Sequence, residues 1–361
     1  METTLSYALT YISNIGKRRP SHSLTPCRLI ILADNDYYSQ PDQPTASGGQ
    51  EEEGDGTAAA RERRPRFARF PTTLGDAHKT GLGSSAALVT ALTAALLTHH
   101  LPVALFDLSS PAGRSTLHNL AQAAHCAAQG KIGSGFDVAA AVYGSCRYRR
   151  FSPGILGALP EPGAPGFAPA LIELVSDAAK WDVEIDKAGV GVPPGLAVRM
   201  CDVDCGSQTV GMVKKVLAWR SSDAAGAKAL WDSLQERNTA LARALEEARL
   251  DDLPVALGAV RELIRKMGEA SGVPIEPESQ TELLDHLSTL DGVYGGVVPG
   301  AGGFDALAIL LKDHEETTAR VEAALVEWGK KVGGKIRLLD VKGEMDGVRI
   351  ESLATYDGWL S

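Results

Sequence analysis

The 361-residue chain lacks the features that mark membrane and secreted proteins. Its most apolar long run, 86–97, has twelve residues, which is too short to cross a bilayer. Five cysteines are an odd number, so at least one lies outside any disulfide set and reduced thiols are expected. The N-terminus places its acid first and its bases last, the reverse of a secretory signal. These absences predict a cytoplasmic protein without a membrane partner.

Basic charge is also in deficit, because 36 Lys+Arg face 45 Asp+Glu and give a net charge of −9. That balance argues against general nucleic-acid binding, which requires a basic surface. It leaves room for a local basic pocket that binds an anionic small molecule. Hydrophobic residues make up 44% and charged residues 22%, as in ordinary globular proteins. The length predicts about two domains.

Large apolar residues are missing altogether from 40–66, which contains no Val, Ile, Leu, Met, Phe, Trp or Tyr. Such a stretch cannot bury enough apolar surface to offset the entropy of ordering it, so we predict a disordered insertion. A Pro/Gly-rich stretch follows Phe151 and reaches Pro169. It predicts a boundary between domains at 1–165 and 166–361.

Hydrophobic spacing predicts a mixture of helices and strands. Strands that neighbour one another along the chain favour an α+β fold over a doubly wound parallel sheet. The predicted helices are 1–16 (a helix or a buried segment), 84–99, 114–129, 208–220, 224–249, 254–270, 277–289 and 315–332. The predicted strands are 28–33, 196–203, 305–312, 335–341 and 347–352, with a Gly-rich loop over 292–303.

The strongest local signal is KTGLGSSAA over 79–87, which opens directly into a predicted helix. Its glycines allow close backbone approach, and the N–H groups of a helix start form an anion site suited to phosphate. The hydroxyls of Ser84 and Ser85 are placed to bond phosphate or to reach Mg²⁺. The alternative is an ordinary helix start capped by Ser, with glycines in the preceding turn.

Related nucleotide motifs do not fit this segment. Residues 81–86 satisfy the loose dinucleotide fingerprint, but no buried strand precedes them and the expected acid does not follow. The chain has no G-x-x-x-x-G-K-[ST] sequence, which excludes a P-loop. Neither serine lies in G-x-S-x-G, so the segment does not predict a hydrolase nucleophile.

Three further segments combine glycine with polar or acidic residues. GKIGSGFD over 130–137 sets Asp137 at the start of an apolar segment, where it either reaches a ligand or caps a helix. DVDCGSQTVGMVKK over 202–215 joins a strand end to a hydroxyl-rich helix start. Six glycines among the twelve residues 292–303 suit either close approach to a ligand or a tight hairpin.

Taken together, GLGSSAA, SGFD and the late PGAGGFDA resemble the GHMP kinase superfamily. Within it, HKTGLGSSAALVTALTAALL, AQGKIGSGFDVAAAVYGS and DVDCGSQTVGMVKKVLAW resemble the fungal phosphomevalonate kinases, and the likeness covers nearly the whole chain outside 41–66. The resemblance implies a ribosomal-protein-S5-like N-terminal domain and a ferredoxin-like C-terminal domain. It implies ATP and Mg²⁺ as cofactors and 5-phosphomevalonate as the small-molecule substrate, in the pathway to isoprenoids and sterols. No nucleic acid or obligate protein partner is implied.

The resemblance also implies roles for individual residues. Asp137 and Lys79 would be catalytic, and Ser85 would reach the metal ion. The ATP phosphates would lie on Gly81, Leu82, Gly83, Ser84, Ser85 and Ala86, and the substrate would face Ser134, Gly135, Ser207, Gln208, Thr209, Gly300, Gly302 and Gly303.

Two departures from the superfamily pattern accompany this resemblance. The Gly-rich motif expected on the first strand is missing, so we expect an N-terminally truncated chain. Mevalonate-kinase-like relatives also carry a Glu metal ligand shortly before the acid of SGxD, whereas 121–129 contains no acid. Mg²⁺ would then rest on Ser85, the phosphates and water. Another GHMP small-molecule kinase and an inactive fragment that keeps the fold are the alternatives.

The chemistry implied is phosphoryl transfer to a phosphate oxygen, which depends mainly on positioning and charge neutralisation. The acceptor phosphate has a second pKa near about 6 and is largely deprotonated at neutral pH, so a general base is less needed. We therefore expect Asp137 to orient Lys79 and Mg²⁺ rather than to remove a proton.

Overall fold

The computed structural model describes residues 1–15, 27–34, 37–39, 66–67, 78–80, 82–188, 190–203, 209–304, 306–334, 336–339, 341 and 343–359. The helices are α1 (Glu2–Asn14), α2 (Ser84–His100), α3 (Pro111–Gln129), α4 (Phe136–Tyr143), α5 (Gly154–Gly157), α6 (Phe167–Ser176), α7 (Thr209–Ser222), α8 (Ala224–Glu246), α9 (Leu253–Ser271), α10 (Glu278–Ser288) and α11 (Glu315–Val332). The strands are β1 (Tyr38–Ser39), β2 (His78–Lys79), β3 (Arg147–Arg149), β4 (Glu184–Asp186), β5 (Leu196–Asp202), β6 (Val293–Val297), β7 (Ala306–Lys312) and β8 (Arg337–Leu338).

In the first half of the chain, α2 packs against α1, α3 and α4, and α6 packs against α1 and α3. Helix α2 is rich in Ala and Leu, and its side chains are buried on several faces of the helix. Helix α3 begins at Pro111 with Ser110 as its cap and ends at Gly130, which has a left-handed conformation. Its buried face joins one apolar cluster that runs from Tyr7 to Trp181. This packing holds α2, α3 and α4 against one another.

The second half has the strand order of a ferredoxin-like unit, with helices α7 to α10 between β5 and β6 and α11 between β7 and β8. Its four antiparallel strands are arranged β6-β7-β5-β8, and β5 pairs with β7 from Leu196↔Lys312 to Asp202↔Ala306. Helices α10 and α11 cover one apolar cluster of this sheet, and α9 contributes to a second. The observed order confirms the predicted ferredoxin-like topology, whereas the predicted boundary at 165/166 stays a prediction.

The C-terminal segment returns to the first half of the molecule. The Ser145 N–H donates to the Glu344 carbonyl at 2.8 Å, and the Val348 N–H donates to the Ala141 carbonyl at 2.9 Å. Phe67 stacks on Tyr356 with a centroid distance of 5.8 Å. The end of the chain therefore packs beside α4. Among the described helices, none has the length and apolar character needed to cross a bilayer.

Three predicted elements were wrong. Residues 28–33 form no strand, and Leu29 and Ile31 are 44% and 41% exposed, because no strand in the described part of the chain pairs with them. Residues 293–297 form β6 where a loop was predicted, and β6 pairs with β7 across the segment 298–305, which is longer than the tight hairpin that was the alternative. Residues 347–352 form no strand, since Val348 bonds a carbonyl of α4. The predicted insertion at 40–66 lies outside the described residues except for Arg66.

Candidate active site

The N-termini of α2 and α4 lie side by side in the first half of the chain. Gly83 caps α2 with φ +73°, and Gly135 caps α4 with φ +80°, both in the left-handed region that favours glycine. A methyl group built on Gly83 would lie 3.7 Å from the Cβ atom of Asp137. The carboxylate in the first turn of α4 is therefore beside the turn that opens α2.

The turn before α4 is tightly enclosed. A methyl group on Gly135 would lie 2.6 Å from Gln122 Oε1, 2.7 Å from the Tyr148 hydroxyl and 3.0 Å from a ring carbon of Phe151. The Tyr148 hydroxyl donates to the Ser134 carbonyl at 3.0 Å. Burial raises the pKa of Tyr148 to about 12, so it stays protonated and can donate. These contacts hold the backbone that presents Asp137.

A buried imidazole from α3 lies between the two helix starts. The Nε2 atom of His125 is 3.2 Å from Ser85 Oγ and 2.9 Å from the amide nitrogen of Gln129. The Nδ1 atom of His125 is 3.9 Å from Asp137 Oδ2. His125 is only 4% exposed, whereas the Asp137 side chain is 26% exposed. Ser85, His125 and Asp137 thus form a row from the start of α2 to the start of α4.

The electrostatics of this row favour a neutral imidazole. Burial lowers the pKa of His125, the Asp137 carboxylate opposes that shift, and Lys131 adds to it. With Nδ1 facing a carboxylate, the proton is best placed on Nδ1, which leaves the Nε2 lone pair as an acceptor. The Ser85 hydroxyl and the Gln129 amide then share the single lone pair of Nε2 as donors. Asp137 Oδ1 accepts from the Val138 N–H at 3.0 Å, which fixes its orientation at the helix start.

The late glycine loop is built in the second half of the chain. Gly300, Gly302 and Gly303 have φ of +66°, +84° and +110°. The Gly303 N–H donates to the Ile275 carbonyl at 2.9 Å, and the Gln280 amide donates to the Phe304 carbonyl at 2.8 Å. In the described residues, these hydrogen bonds join the loop to Ile275, in the segment before α10, and to Gln280, in the first turn of α10.

The neighbouring Glu276 anchors that segment. Its carboxylate is 1% exposed and accepts from Arg261 at 2.7 Å, from Arg265 at 2.9 Å and from the Thr281 hydroxyl at 3.0 Å. A buried carboxylate with three donors is fully paired. The backbone under the glycine loop is therefore rigidly supported.

The structure accordingly brings together Gly83, Ser85, Asp137 and the 134–135 turn, and it builds the late glycines on a separate support. Gly81, Ser207 and Gln208 lie outside the described residues, as do the side chains of Lys79 and Thr209. Sequence reasoning considered a supporting role for His125 but favoured an ordinary side chain on a helix face, and so did not place it in the site. The available signal was a His and a Gln one helical turn apart in the Ala-rich window where an acid was expected.

Comparisons with known proteins place these features in context. Residues 70–145 match the family model for the GHMP kinases N terminal domain. The whole chain is 62% identical to a phosphomevalonate kinase of Gibberella zeae and spans 78% of that protein. It is 46% identical over its whole length to one from Aspergillus fumigatus and spans 75% of it. The crystal structure of the Streptococcus pneumoniae phosphomevalonate kinase shares the fold, with a TM-score of 0.52, 19% identity, and 73% of this chain and 70% of that chain covered.

Proposed function

The chain belongs to the phosphomevalonate kinase family of the GHMP kinases, and we propose that the site where α2 and α4 begin transfers the γ-phosphoryl group of ATP to 5-phosphomevalonate. The products would be ADP and 5-diphosphomevalonate. Membership in the family makes the protein a phosphotransferase of the mevalonate pathway. The observation that carries the assignment to this site is the position of Asp137 beside the Gly83 turn.

The start of α2 supplies the phosphate site. Helix geometry leaves the first N–H groups of α2 without intrahelical partners, and the first turn contains no acidic residue. Gly83 has no side chain to obstruct an anion, and Ala86 is small. The helix dipole and the N–H groups act together on a polyanion. These features support the proposal that 81–86 holds the ATP phosphates.

The residues present also fit Mg²⁺. The Ser85 hydroxyl and the Asp137 carboxylate are hard oxygen donors of the kind that Mg²⁺ prefers, and Ser85 is exposed. When bound, the ion would neutralise phosphate charge. His125 is unsuited to bind Mg²⁺ in this role, because a neutral imidazole is a softer ligand. We assign His125 instead to orienting the Ser85 hydroxyl. When the Ser85 proton points at Nε2 of His125, the Ser85 oxygen faces outward.

Asp137 and Lys79 share the remaining work. The acceptor is a phosphate that is already largely ionised at neutral pH, so proton removal contributes little. Asp137 would orient the cations that offset the charge of two polyanions, and Lys79 would be the foremost of those cations. Lys131 lies close enough to His125 to influence its pKa and is a second candidate cation.

The residues that contact the acceptor are also part of this proposal. Ser134, Gly135, Ser207, Gln208 and Thr209 would face the acceptor. The 300–303 loop would close over it from the second half of the chain, and the rigid support beneath Gly303 is consistent with a precise closing surface. The division into domains at 1–165 and 166–361 and the cytoplasmic location likewise stay predictions.

An ADP-release assay with several acceptors tests the proposed function. We expect turnover with 5-phosphomevalonate and little with mevalonate, homoserine or galactose. Turnover with another acceptor alone would reassign the substrate. Absence of turnover, together with no heat on titrating MgATP into the chain, would show that the chain is inactive.

Two substitutions test the division of work. Lys79→Ala should lower kcat more than Asp137→Asn, because charge neutralisation is the harder task. Lys228→Ala and Asp232→Asn are matched controls, since these residues form an exposed ion pair on α8. The orienting role of Asp137 is wrong if Asp137→Asn loses as much kcat as Lys79→Ala.

A further inference from the structure

A second group of metal-binding side chains gathers at the opposite end of α2 from the proposed active site. The ligand atoms of Cys27, His99 and His100 all lie within 4.8 Å of one another. Cys27 precedes residues 28–34, which form no regular secondary structure, and the two histidines are the last residues of α2. A 17-residue helix is about 25 Å long, so this cluster is remote from Ser85. The phosphoryl-transfer chemistry does not use it.

The surroundings of the cluster suit a cation. The carbonyl groups at the end of a helix carry partial negative charge, which favours a positive ion there. The two imidazole rings are 4.6 Å apart at 79° rather than stacked. Cys27 is a free, exposed thiol, accessible to an ion from solvent.

The donor set selects the kind of ion. A thiolate with two imidazoles suits Zn²⁺, Co²⁺ or Cu⁺, whereas Mg²⁺ prefers oxygen ligands. We propose that Cys27, His99 and His100 form a transition-metal site that takes Zn²⁺ in preference to Mg²⁺, with water in the fourth position. Binding would convert the Cys27 thiol to a metal-bound thiolate and release one proton to solvent.

Such a site would tie two distant parts of the chain together. Residue 27 begins the segment that leads to β1, and β1 pairs with β2 immediately before the predicted phosphate turn. A metal joining Cys27 to α2 would therefore stabilise the folded N-terminal half. We expect Zn²⁺ to raise the unfolding temperature of the full chain while kcat with MgATP stays unchanged.

Cobalt substitution tests this proposal without nucleotide or acceptor. The full chain is treated with a chelator, freed of it, and titrated with Co²⁺. We expect a thiolate-to-cobalt charge-transfer band in the near ultraviolet that saturates at one equivalent, together with the visible bands of tetrahedral cobalt. Zn²⁺ should abolish both sets of bands, and excess Mg²⁺ should not.

Variants identify the ligands. Cys27→Ser should remove the charge-transfer band, and His99→Asn or His100→Asn should weaken Co²⁺ binding by more than the roughly tenfold that loss of an outer partner costs. Cys146→Ser is the matched control, because that thiol lies elsewhere and should leave the band intact. No band in the unmodified chain, or a band that survives Cys27→Ser, would overturn the proposal. Either result leaves the kinase assignment untouched, since no step of phosphoryl transfer enters the measurement.

Discussion

Substitution of His125 separates its hydrogen bonding from its volume. Its Nε2 atom lies 3.2 Å from Ser85 Oγ, and its ring is buried between α2 and α4. His125→Gln keeps an acceptor at a similar reach from the backbone, whereas His125→Leu fills comparable space without one. If His125 orients Ser85, the two variants should differ although both remain packed.

The size of the expected effect follows from the exposure of Ser85. A neutral hydrogen bond contributes about 1 kcal/mol net. Loss of that contribution to nucleotide binding corresponds to about a fivefold change in dissociation constant. Ser85 is exposed, so water replaces the lost partner and the larger cost of a stranded buried hydroxyl does not apply. We therefore expect His125→Leu to raise the KM for MgATP about fivefold, with a smaller change in kcat, and His125→Gln to stay near the unmodified protein.

The assay varies MgATP at saturating 5-phosphomevalonate and follows ADP release. Ser85→Ala is added in each background, because a residue that acts through Ser85 should lose its effect once the hydroxyl is gone. Urea unfolding of every variant shows whether the fold is kept. Equal KM values for His125→Leu and His125→Gln would contradict the reasoning. So would an undiminished effect of Ser85→Ala in the His125→Leu background.

Three further predictions concern the supports of the site. Gly83→Ala should lower the free energy of unfolding by about 1 kcal/mol from backbone strain alone. Gly135→Ala should lower the free energy of unfolding by about 2–4 kcal/mol, because its methyl group would also meet Gln122 Oε1 at 2.6 Å. Urea unfolding in which Gly83→Ala is the more destabilising of the two substitutions would contradict this. Burial lowers the pKa of His118 from 6.5 to about 4. As the pH falls from 6.5 to about 4, the unfolded chain therefore binds a proton that the folded chain does not, and the free energy of unfolding falls by up to about 3 kcal/mol. That dependence should be absent from urea unfolding of His118→Phe. Glu276→Gln removes the buried charge that Arg261 and Arg265 share, although Arg261 keeps its ion pair with Asp285, so we expect a loss of about 2 kcal/mol and a raised KM for the acceptor. An unchanged KM would separate the loop from substrate binding.

Local signals were sufficient to predict most helices. Ser84 begins α2 and Gly130 closes α3, as the glycine and serine positions indicated. The start of α4 was not predicted in this way, because sequence analysis left Asp137 either reaching a ligand or capping a helix. In the structure Gly135 is the cap and Asp137 lies in the first turn. The boundaries of α2 and α3 depend on residues within one or two turns, which the sequence displays directly.

Strands depended on partners that the sequence does not display. The apolar run 28–33 satisfies the composition of a strand, yet strand formation requires a neighbouring strand to share its hydrogen bonds. The reverse error occurred at β6, where glycine richness predicted a loop. A methyl group on Gly296 would lie 2.5 Å from the Ala308 carbonyl of the paired strand, so that glycine serves close packing within the hairpin.

His125 lies in the segment 121–129, which contains no acidic residue. Under the proposed function, its imidazole takes the place of the acid that related kinases carry there. ATP and a phosphorylated acceptor bring several negative charges to one place, and a carboxylate at that position would add another beside Ser85. The neutral imidazole gives the Ser85 hydroxyl an acceptor without adding charge. Under the proposed function, Asp137 would provide negative charge where a cation is to be oriented, and burial of the imidazole would keep the two functions distinct. A kinase that joins two phosphates gains more from this arrangement than one that must ionise a hydroxyl group, because its acceptor arrives already charged.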